Sequence, residues 1–545
     1  MAMRLMRLWL AMALVLMAEA GERCRDASLL STRLPSSLRS SSSSRSLHLR
    51  RHRHLLFNVD PPKIAIPAAA SCDTRGPHPV PQEDELSRSP SRRSIADLAA
   101  SPSFSVGITS SSRAARAPAA VIDEISKRYL KPGVVNLAAG SSSWPPPPGC
   151  MEEATRLLQK GDPELHRYGD CEGLQALTEK LKQKLKRENN IEGKEVMVTA
   201  GANQAFVNVM LAVCDPGDYV VLFKPYYYSH RVAVELAGAK VIEVSCESNF
   251  EPDLAELRQV LKAAEANQQR VKMAVIVTPG NPSGALISSD TLNKLVEICA
   301  SKKIWLVSDE TYEYFTYDGA EHVSPTADDG VINIYSMSKA YGMAGWRIGY
   351  VAYPSHLTSA MLKVQDTILT MATVLAQKVA LKALDYGRSW VRENVKSLIP
   401  IRSRIYEVLE PLNPFMSQGA FYFMIKIPSI LDEIRMIDMF ANDHGLLLTP
   451  GSAFGMDGYL RLAYGCITAD RLDDVCDKLK LAVRNMIRIG LRCSFEHQCS
   501  NPLTSGREGT WGELDDERNL IERETMHIAR QASRDGKELL FEEDT

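Results

Sequence analysis

No two of the eleven cysteines form a Cys-x-x-Cys pair, and their number is odd. That scatter suits neither a zinc site nor a disulfide framework, and reduced thiols are the reading it supports. Neither sign of charge dominates: 64 basic against 66 acidic side chains leave a formal net charge of −2. Such a balance has no electrostatic footprint for DNA or RNA, so nucleic acid is not an expected partner. Long apolar runs are also missing. Leu8–Met17 is too short to span a bilayer, and no later stretch is longer. There is no internal repeat and no cluster with metal-ligand spacing. What is present is bulk: 545 residues, 45% of them hydrophobic, enough for a large core and, at ~150 residues per domain, about three or four domains.

The two ends differ from the middle. Arg4 and Arg7 precede the first apolar run, and Ala18-Glu19-Ala20 after it has the small-x-small form of a signal-peptide cleavage site. Residues 23–53 are instead rich in Ser and Arg with Asp26 as the one acid, the composition of a plastid-type transit peptide. Secretion, plastid import and a cytoplasmic protein with a mis-assigned start all stay open. The Ser/Pro/Arg-rich extension, residues 1–116, reads as disordered, and so does the charged tail 491–545, apart from one helix expected near 513–532. The folded body spans 117–490. Short apolar, β-rich runs are expected as strands at 196–199, 219–223, 240–245, 273–278, 304–308, 331–335 and 347–352. Helical patterns separate the first five, at 202–213, 228–236, 254–266 and 290–302. Alternation of this kind predicts an α/β fold with a mostly parallel sheet covered on both faces, and ligands at the carboxyl ends of its strands. After a helical stretch to about residue 410, strands are expected at 420–425, 446–448 and 459–462, a smaller α+β domain. The expected divisions are 117–165 and 386–490 for the small domain and 166–385 for the large one.

Candidate chemistry collects at the strand ends. Ser336-Met337-Ser338-Lys339 follows the run 331–335; a lysine there is a Schiff-base nucleophile if its amine is desolvated enough to stay neutral. Taken alone it is more often a surface lysine, but Arg347 follows, and with the Ser336 hydroxyl its guanidinium suits a phosphate. Asp309 ends the run 304–308. A cap is its ordinary role, whereas a fixed anion in a dry site would keep a heteroaromatic nitrogen protonated. Tyr312 and Asn281, the latter in Thr278-Pro279-Gly280-Asn281-Pro282, could each donate to a phenolate oxygen on that ring. An ordinary half-buried tyrosine and a plain turn are the competing readings. Ala200-Gly201-Ala202-Asn203 exposes backbone N–H groups at a helix start, where phosphates bind. Among Tyr226, Tyr227 and Tyr228, one ring could stack on a flat cofactor and the others pack in the core. Arg461 lies inside an apolar strand and needs a carboxylate partner, from protein or substrate.

In chain order this set resembles the fold-type-I pyridoxal-phosphate enzymes, specifically the class I/II aminotransferases. The resemblance rests on Asn281-Pro282-x-Gly284, Asp309-x-x-Tyr312, Ser336-x-Ser338-Lys339 through Arg347, and Arg461, and covers about residues 117–490. It implies a pyridoxal 5'-phosphate cofactor and ping-pong transfer of an amino group from an amino acid to a 2-oxo acid. Lys339 would form the aldimine and shuttle the proton, and Asp309 would hold the pyridine proton. Asn281 and Tyr312 would bond the ring oxygen, Ala202, Asn203, Ser336 and Arg347 the phosphate, and Tyr227 would stack on the ring. Tyr168 would reach the phosphate of a neighbouring subunit, which implies a homodimer. Arg461, with the Gly140 backbone, would grip the substrate carboxylate, and Trp144 would lie near the substrate. No metal is implied. Three positions depart from the family pattern: Ser283 for a threonine, His230 where a tyrosine often stands, and Ser141-Ser142-Ser143-Trp144-Pro145.

Aspartate-specific relatives carry a second arginine for the side-chain carboxylate, but residues 370–375 hold no basic residue. A neutral or aromatic L-amino acid, or methionine, is therefore the expected donor, and the sequence looks most like the plant aromatic and methionine aminotransferases. The alternative on the same scaffold is a lyase or an aminocyclopropane-carboxylate-type synthase. A ligand sensor fused to a DNA-binding head is disfavoured, because no helix-turn-helix pattern precedes the core.

Overall fold

The computed structural model describes residues 110–499 except 328. The targeting-like segments and the helix expected near 513–532 lie outside them. Twelve strands are described. β1 is Val135–Asn136, β2 Glu195–Thr199, β3 Tyr219–Lys224, β4 Lys240–Ser245, β5 Val271–Val277, β6 Trp305–Asp309, β7 Val331–Ser336 and β8 Gly349–Tyr353. β9 is Tyr422–Lys426, β10 Leu446–Leu447, β11 Thr449–Pro450 and β12 Tyr459–Ala463.

Seven strands form the central sheet, in the order β2-β8-β7-β6-β5-β3-β4. β8 runs antiparallel to both neighbours; the other four pairings are parallel. The central strands are apolar on both sides because both sides are covered. In β3, Val220 and Leu222 pack with Phe206, Val209, Val234 and Met361 of helices Ala202–Val213, Tyr228–Leu236 and Thr358–Ile368. Val221 and Phe223 point the other way, onto Leu257, Leu261, Leu292 and Leu295 of helices Leu254–Ala266 and Ser289–Lys302. Successive side chains of a strand alternate between faces, so a continuous apolar run is what a two-sided sheet requires. Two of these helices begin at sequence-encoded caps: the Asp253 carboxylate accepts from the N–H groups of Ala255 and Glu256 at 2.8 and 2.9 Å, and the Ser288 hydroxyl from Thr291 at 3.3 Å.

The smaller layer is α+β, as expected. β11, β12 and β9 form an antiparallel sheet, and β1 pairs with β10 in parallel. Two expectations need correction. The strand expected at 347–352 begins at Gly349, because Arg347 closes a 3-10 turn, Ala344–Trp346, in the left-handed region with φ 55°. The last helix, Leu472–Cys499, continues past residue 490; Val475, Leu479, Ala482, Val483 and Met486 give it a buried face of helical period. Among the described residues no helix is long and apolar enough to cross a membrane, and no group of acidic, His or Cys side chains could hold a metal ion.

Candidate active site

The parallel register sets Val277, Asp309 and Ile334 side by side; β5 and β6 end there and β7 two residues later, so their following residues share one edge of the sheet. Such an edge is where open α/β sheets place ligands. Asp309, the last residue of β6, is buried. Its Oδ1 accepts from the Thr311 N–H at 3.0 Å and the Thr311 hydroxyl at 2.7 Å. Its Oδ2 faces His230 Nε2 at 3.2 Å. His230 is itself buried, against the Phe206 ring at 4.2 Å. The carboxylate is thus fixed on two sides in a dry environment, beyond the local turn that a cap would explain.

Lys339 follows β7 in a loop braced by residues 142–144. Ser142 Oγ donates to the Lys339 carbonyl at 2.7 Å, and Trp144 Nε1 to the Ala340 carbonyl at 3.2 Å. Gly342 (φ +61°) lets that segment approach: a Cβ there would stand 2.4 Å from the Trp144 carbonyl oxygen. The amine of Lys339 donates to the Gly140 carbonyl. Burial, then the positive charges of Arg461 and Arg347, lower its pKa from 10.5 to about 8. Desolvation penalises the ammonium and like charges add to it, so a larger share of the amine is free base near neutral pH than in an ordinary lysine.

Arg347 donates from Nη2 to the Ala200 carbonyl and from Nη1 to the Ala344 carbonyl, both at 2.9 Å. It meets the turn before helix Ala202–Val213, whose first turn holds no acid. Gly201 (φ +89°) makes room: a Cβ would lie 2.3 Å from Arg347 Nη2. Gly349 does the same on the far side, where a Cβ would reach Ala202 N at 2.7 Å. A guanidinium that, among the described residues, bonds only carbonyls, beside the N–H groups of a helix start, could cradle a phosphate. Ser336 is close by in sequence, its hydroxyl accepting from Ser338 N at 3.1 Å. Tyr227 caps the next helix, Tyr228–Leu236, and its phenol pKa is raised by burial, with Asn203 among its hydrogen-bond partners.

Arg461 on β12 is 1% exposed. Of the two partners left open for it, protein or substrate, the protein supplies none: among the described residues it has no acidic partner. Nη1 donates to Asn281 Oδ1 at 2.8 Å, and Nη2 to the Ala138 carbonyl and, at 3.3 Å, to Thr449 Oγ1. The guanidinium lies 4.7 Å from the ring centroids of both Tyr422 and Phe454, and its Nε has no partner among the described residues. A buried cation with an orphaned donor is one short of a counter-ion, which an incoming carboxylate supplies. Because Asn281 accepts through its oxygen, its amide nitrogen is left to donate elsewhere.

The Tyr312 hydroxyl shares a hydrogen bond with that of Tyr422. Tyr422 also crowds Gly140, where a Cβ would lie 2.0 Å from its hydroxyl oxygen. Trp144 is buried and stacks on Phe315 at 5.9 Å. Tyr168, by contrast, is 86% exposed. Two site residues escaped the sequence reading, Tyr422 and the role of His230. The spacing Tyr227-x-x-His230 at a helix start would have flagged the histidine as lying one turn on from the candidate stacking ring; nothing local marks Tyr422.

An amine of lowered pKa, a buried anion fixed on two sides, a turn kept open by Gly201 and Gly349 beside Arg347, and an arginine lacking its counter-ion together fit a phosphorylated pyridine aldehyde and an amino acid.

The family profile described as aminotransferase class I and II matches residues 132–479. The aromatic aminotransferase ISS1 of Arabidopsis thaliana is 37% identical over 366 residues, 66% of this chain and 91% of that protein. The aspartate aminotransferase of Thermotoga maritima is 30% identical, over 66% of this chain and 94% of its own. Among solved structures, the aspartate aminotransferase of Thermus thermophilus with maleate superposes with a TM-score of 0.64 at 30% identity, covering 69% of this chain and all of its own.

Proposed function

Since this chain belongs to the class I and II aminotransferases and is a pyridoxal-phosphate-dependent enzyme, we propose that it moves the amino group of a neutral or aromatic L-amino acid, or of methionine, to a 2-oxo acid, with Lys339 as the amine that holds the cofactor. The observation that carries this reading is Arg461: a buried guanidinium without a protein carboxylate, walled by the rings of Tyr422 and Phe454. One cation there serves one carboxylate, the α-carboxylate. The rings beside it favour an apolar or aromatic remainder, because a second unpaired carboxylate would be costly to bury.

When bound, the cofactor supplies an aldehyde that captures amines and a ring that accepts the electron pair left by the substrate Cα–H bond. The protein's residues do the rest. Asp309 holds the proton at the pyridine nitrogen, with His230 fixing its outer oxygen. Asn281 and Tyr312 bind the ring oxygen, and Tyr227 orients the ring by stacking. The amides of Ala202 and Asn203, the Ser336 hydroxyl and Arg347 bind the phosphate. Lys339, its pKa lowered chiefly by burial, would hold the cofactor through its amine and would carry the proton to and from the substrate Cα. Gly140 receives the substrate carboxylate with Arg461, and Trp144 braces the loop on the substrate side. Tyr168, exposed in the single chain, would reach the phosphate of a second copy in a homodimer.

A panel of amino donors with one oxo-acid acceptor tests the substrate class. Phenylalanine, tyrosine, tryptophan or methionine is expected to turn over faster than aspartate; a clear aspartate preference overturns the assignment.

A further inference from the structure

Helix Thr358–Ile368 contributes one polar side chain to the sheet side, and it is completely buried. Gln365 uses all of its side-chain hydrogen-bonding capacity. Its Oε1 accepts from Gln204 Nε2 and Asn208 Nδ2, both at 2.7 Å, while its Nε2 donates to the carbonyls of Val198 and Cys171 at 3.0 and 3.2 Å. Gln204 in turn accepts from the Ala200 N–H at 2.6 Å. The Ala200 peptide is therefore gripped at both ends, its N–H by Gln204 and its carbonyl by Arg347 at 2.9 Å. That peptide sets the direction of the turn that opens helix Ala202–Val213.

The same glutamine reaches the loop bearing Tyr168. Besides the Cys171 carbonyl held by its side chain, its backbone carbonyl accepts from Leu369 and Thr370 at 2.9 and 3.0 Å, and the next residue, Met371, accepts from Gly169 N at 2.7 Å. An apolar side chain is the ordinary filling between two helices packed on a sheet. Three amides in a row, Gln204, Asn208 and Gln365, have a fixed orientation because each donor and acceptor is spoken for.

We propose that Gln365, acting through Gln204, is a positioning residue that holds the phosphate-facing turn 200–203 in register with the loop carrying Tyr168, and so confers selectivity for the phosphorylated cofactor. The inference rests on the reading of 200–203 and Arg347 as the phosphate cradle. A loosened Ala200 peptide would misdirect the N–H groups of 202 and 203 and shift the carbonyl that fixes Arg347. The amine, Asp309 and the ring-binding groups would be left in place. The loss would fall on the phosphate alone.

The test compares the dissociation constants of pyridoxal phosphate and of pyridoxal, which lacks the phosphate, by tryptophan fluorescence of the cofactor-free protein. Gln365→Met is expected to weaken the phosphorylated form about tenfold, equivalent to about 1.4 kcal/mol, with pyridoxal changed by less than about twofold. Gln204→Met, at a half-buried position, cuts the same link and is expected to do the same if the first variant folds poorly. Equal weakening of both ligands, or of neither, overturns the proposal. Arg347→Met is the control for the underlying reading: if it too leaves the ratio unchanged, the cradle assignment itself fails. If it alone shifts the ratio, only the role of Gln365 and Gln204 is lost. A double-mutant cycle between Gln365→Met and Tyr168→Phe is expected to be non-additive in the ratio, and additivity overturns the link to the Tyr168 loop.

Discussion

The protonation of Lys339 gives the sharpest prediction. A pKa of about 8 in place of 10.5 makes about one amine in eleven a free base at pH 7, against about one in three thousand for an ordinary lysine, a gain of roughly 300-fold in reactive form. The same difference costs the folded, cofactor-free protein about 3 kcal/mol below pH 8. Between pH 8 and 10.5 the unfolded chain keeps this proton and the folded one does not, so that cost is relieved as pH rises through this window. Competitive acylation of the cofactor-free protein, read by peptide mass spectrometry, reports the midpoint directly. The rate of cofactor capture, followed by absorbance, should rise through the same midpoint. Burial contributes most to the shift, then Arg461, then Arg347. Arg461→Met removes a nearby positive charge and should move the midpoint upward, whereas Arg461→Lys, which keeps the charge, should move it less. A native midpoint near 10.5, or a downward move in Arg461→Met, would refute the reasoning.

Two further perturbations follow from buried polar pairs. His230→Leu removes the donor 3.2 Å from Asp309; a hydrogen bond to a charged group is worth about 1.5–3 kcal/mol, so kcat should fall roughly tenfold to a hundredfold with the donor KM little changed, and a defect confined to KM would count against the Asp309 role. Glu310, fully buried, accepts from His322 and Asn333 at 2.8 Å, from Tyr335 at 3.1 Å and from Ser324. Glu310→Ala strands these four donors and should destabilise the fold by about 3–5 kcal/mol in denaturant melts, and a midpoint unchanged within error would show the network to be dispensable.

Much of the fold is legible because its signals are local. Helices 202–213, 228–236 and 254–266 end where the apolar period says they should, the last also starting at its Asp253 cap, and most of the parallel strands announce themselves as β-branched and apolar runs. Strand ends in turn locate Asp309, Asn281 and Lys339 on one edge, since topology alone makes that edge the ligand side. What the chain conceals is pairing at a distance. Tyr422 meets Tyr312 across 110 positions, and Gly140 meets the Lys339 amine across 199. No window of sequence contains both partners. The sequence pattern runs Arg347 into a strand because the apolar run continues through it; the glycine-lined approach of Gly201 and Gly349, a three-dimensional fact, accompanies the left-handed turn of the backbone there.

The parallel pairing of β1 with β10 has a consequence for biogenesis. Ala138, just after β1, bonds Thr449, 311 residues further on. At a translation rate of about 5–20 residues per second, the opening strand waits roughly 15–60 s on the ribosome for its neighbour. Throughout that interval the carbonyl that receives the Lys339 amine hangs on an unpaired segment, and Arg461 has not been synthesised or is still in the exit tunnel. The seat for the cofactor is therefore a late product of synthesis, completed only once the segment carrying Arg461 has emerged.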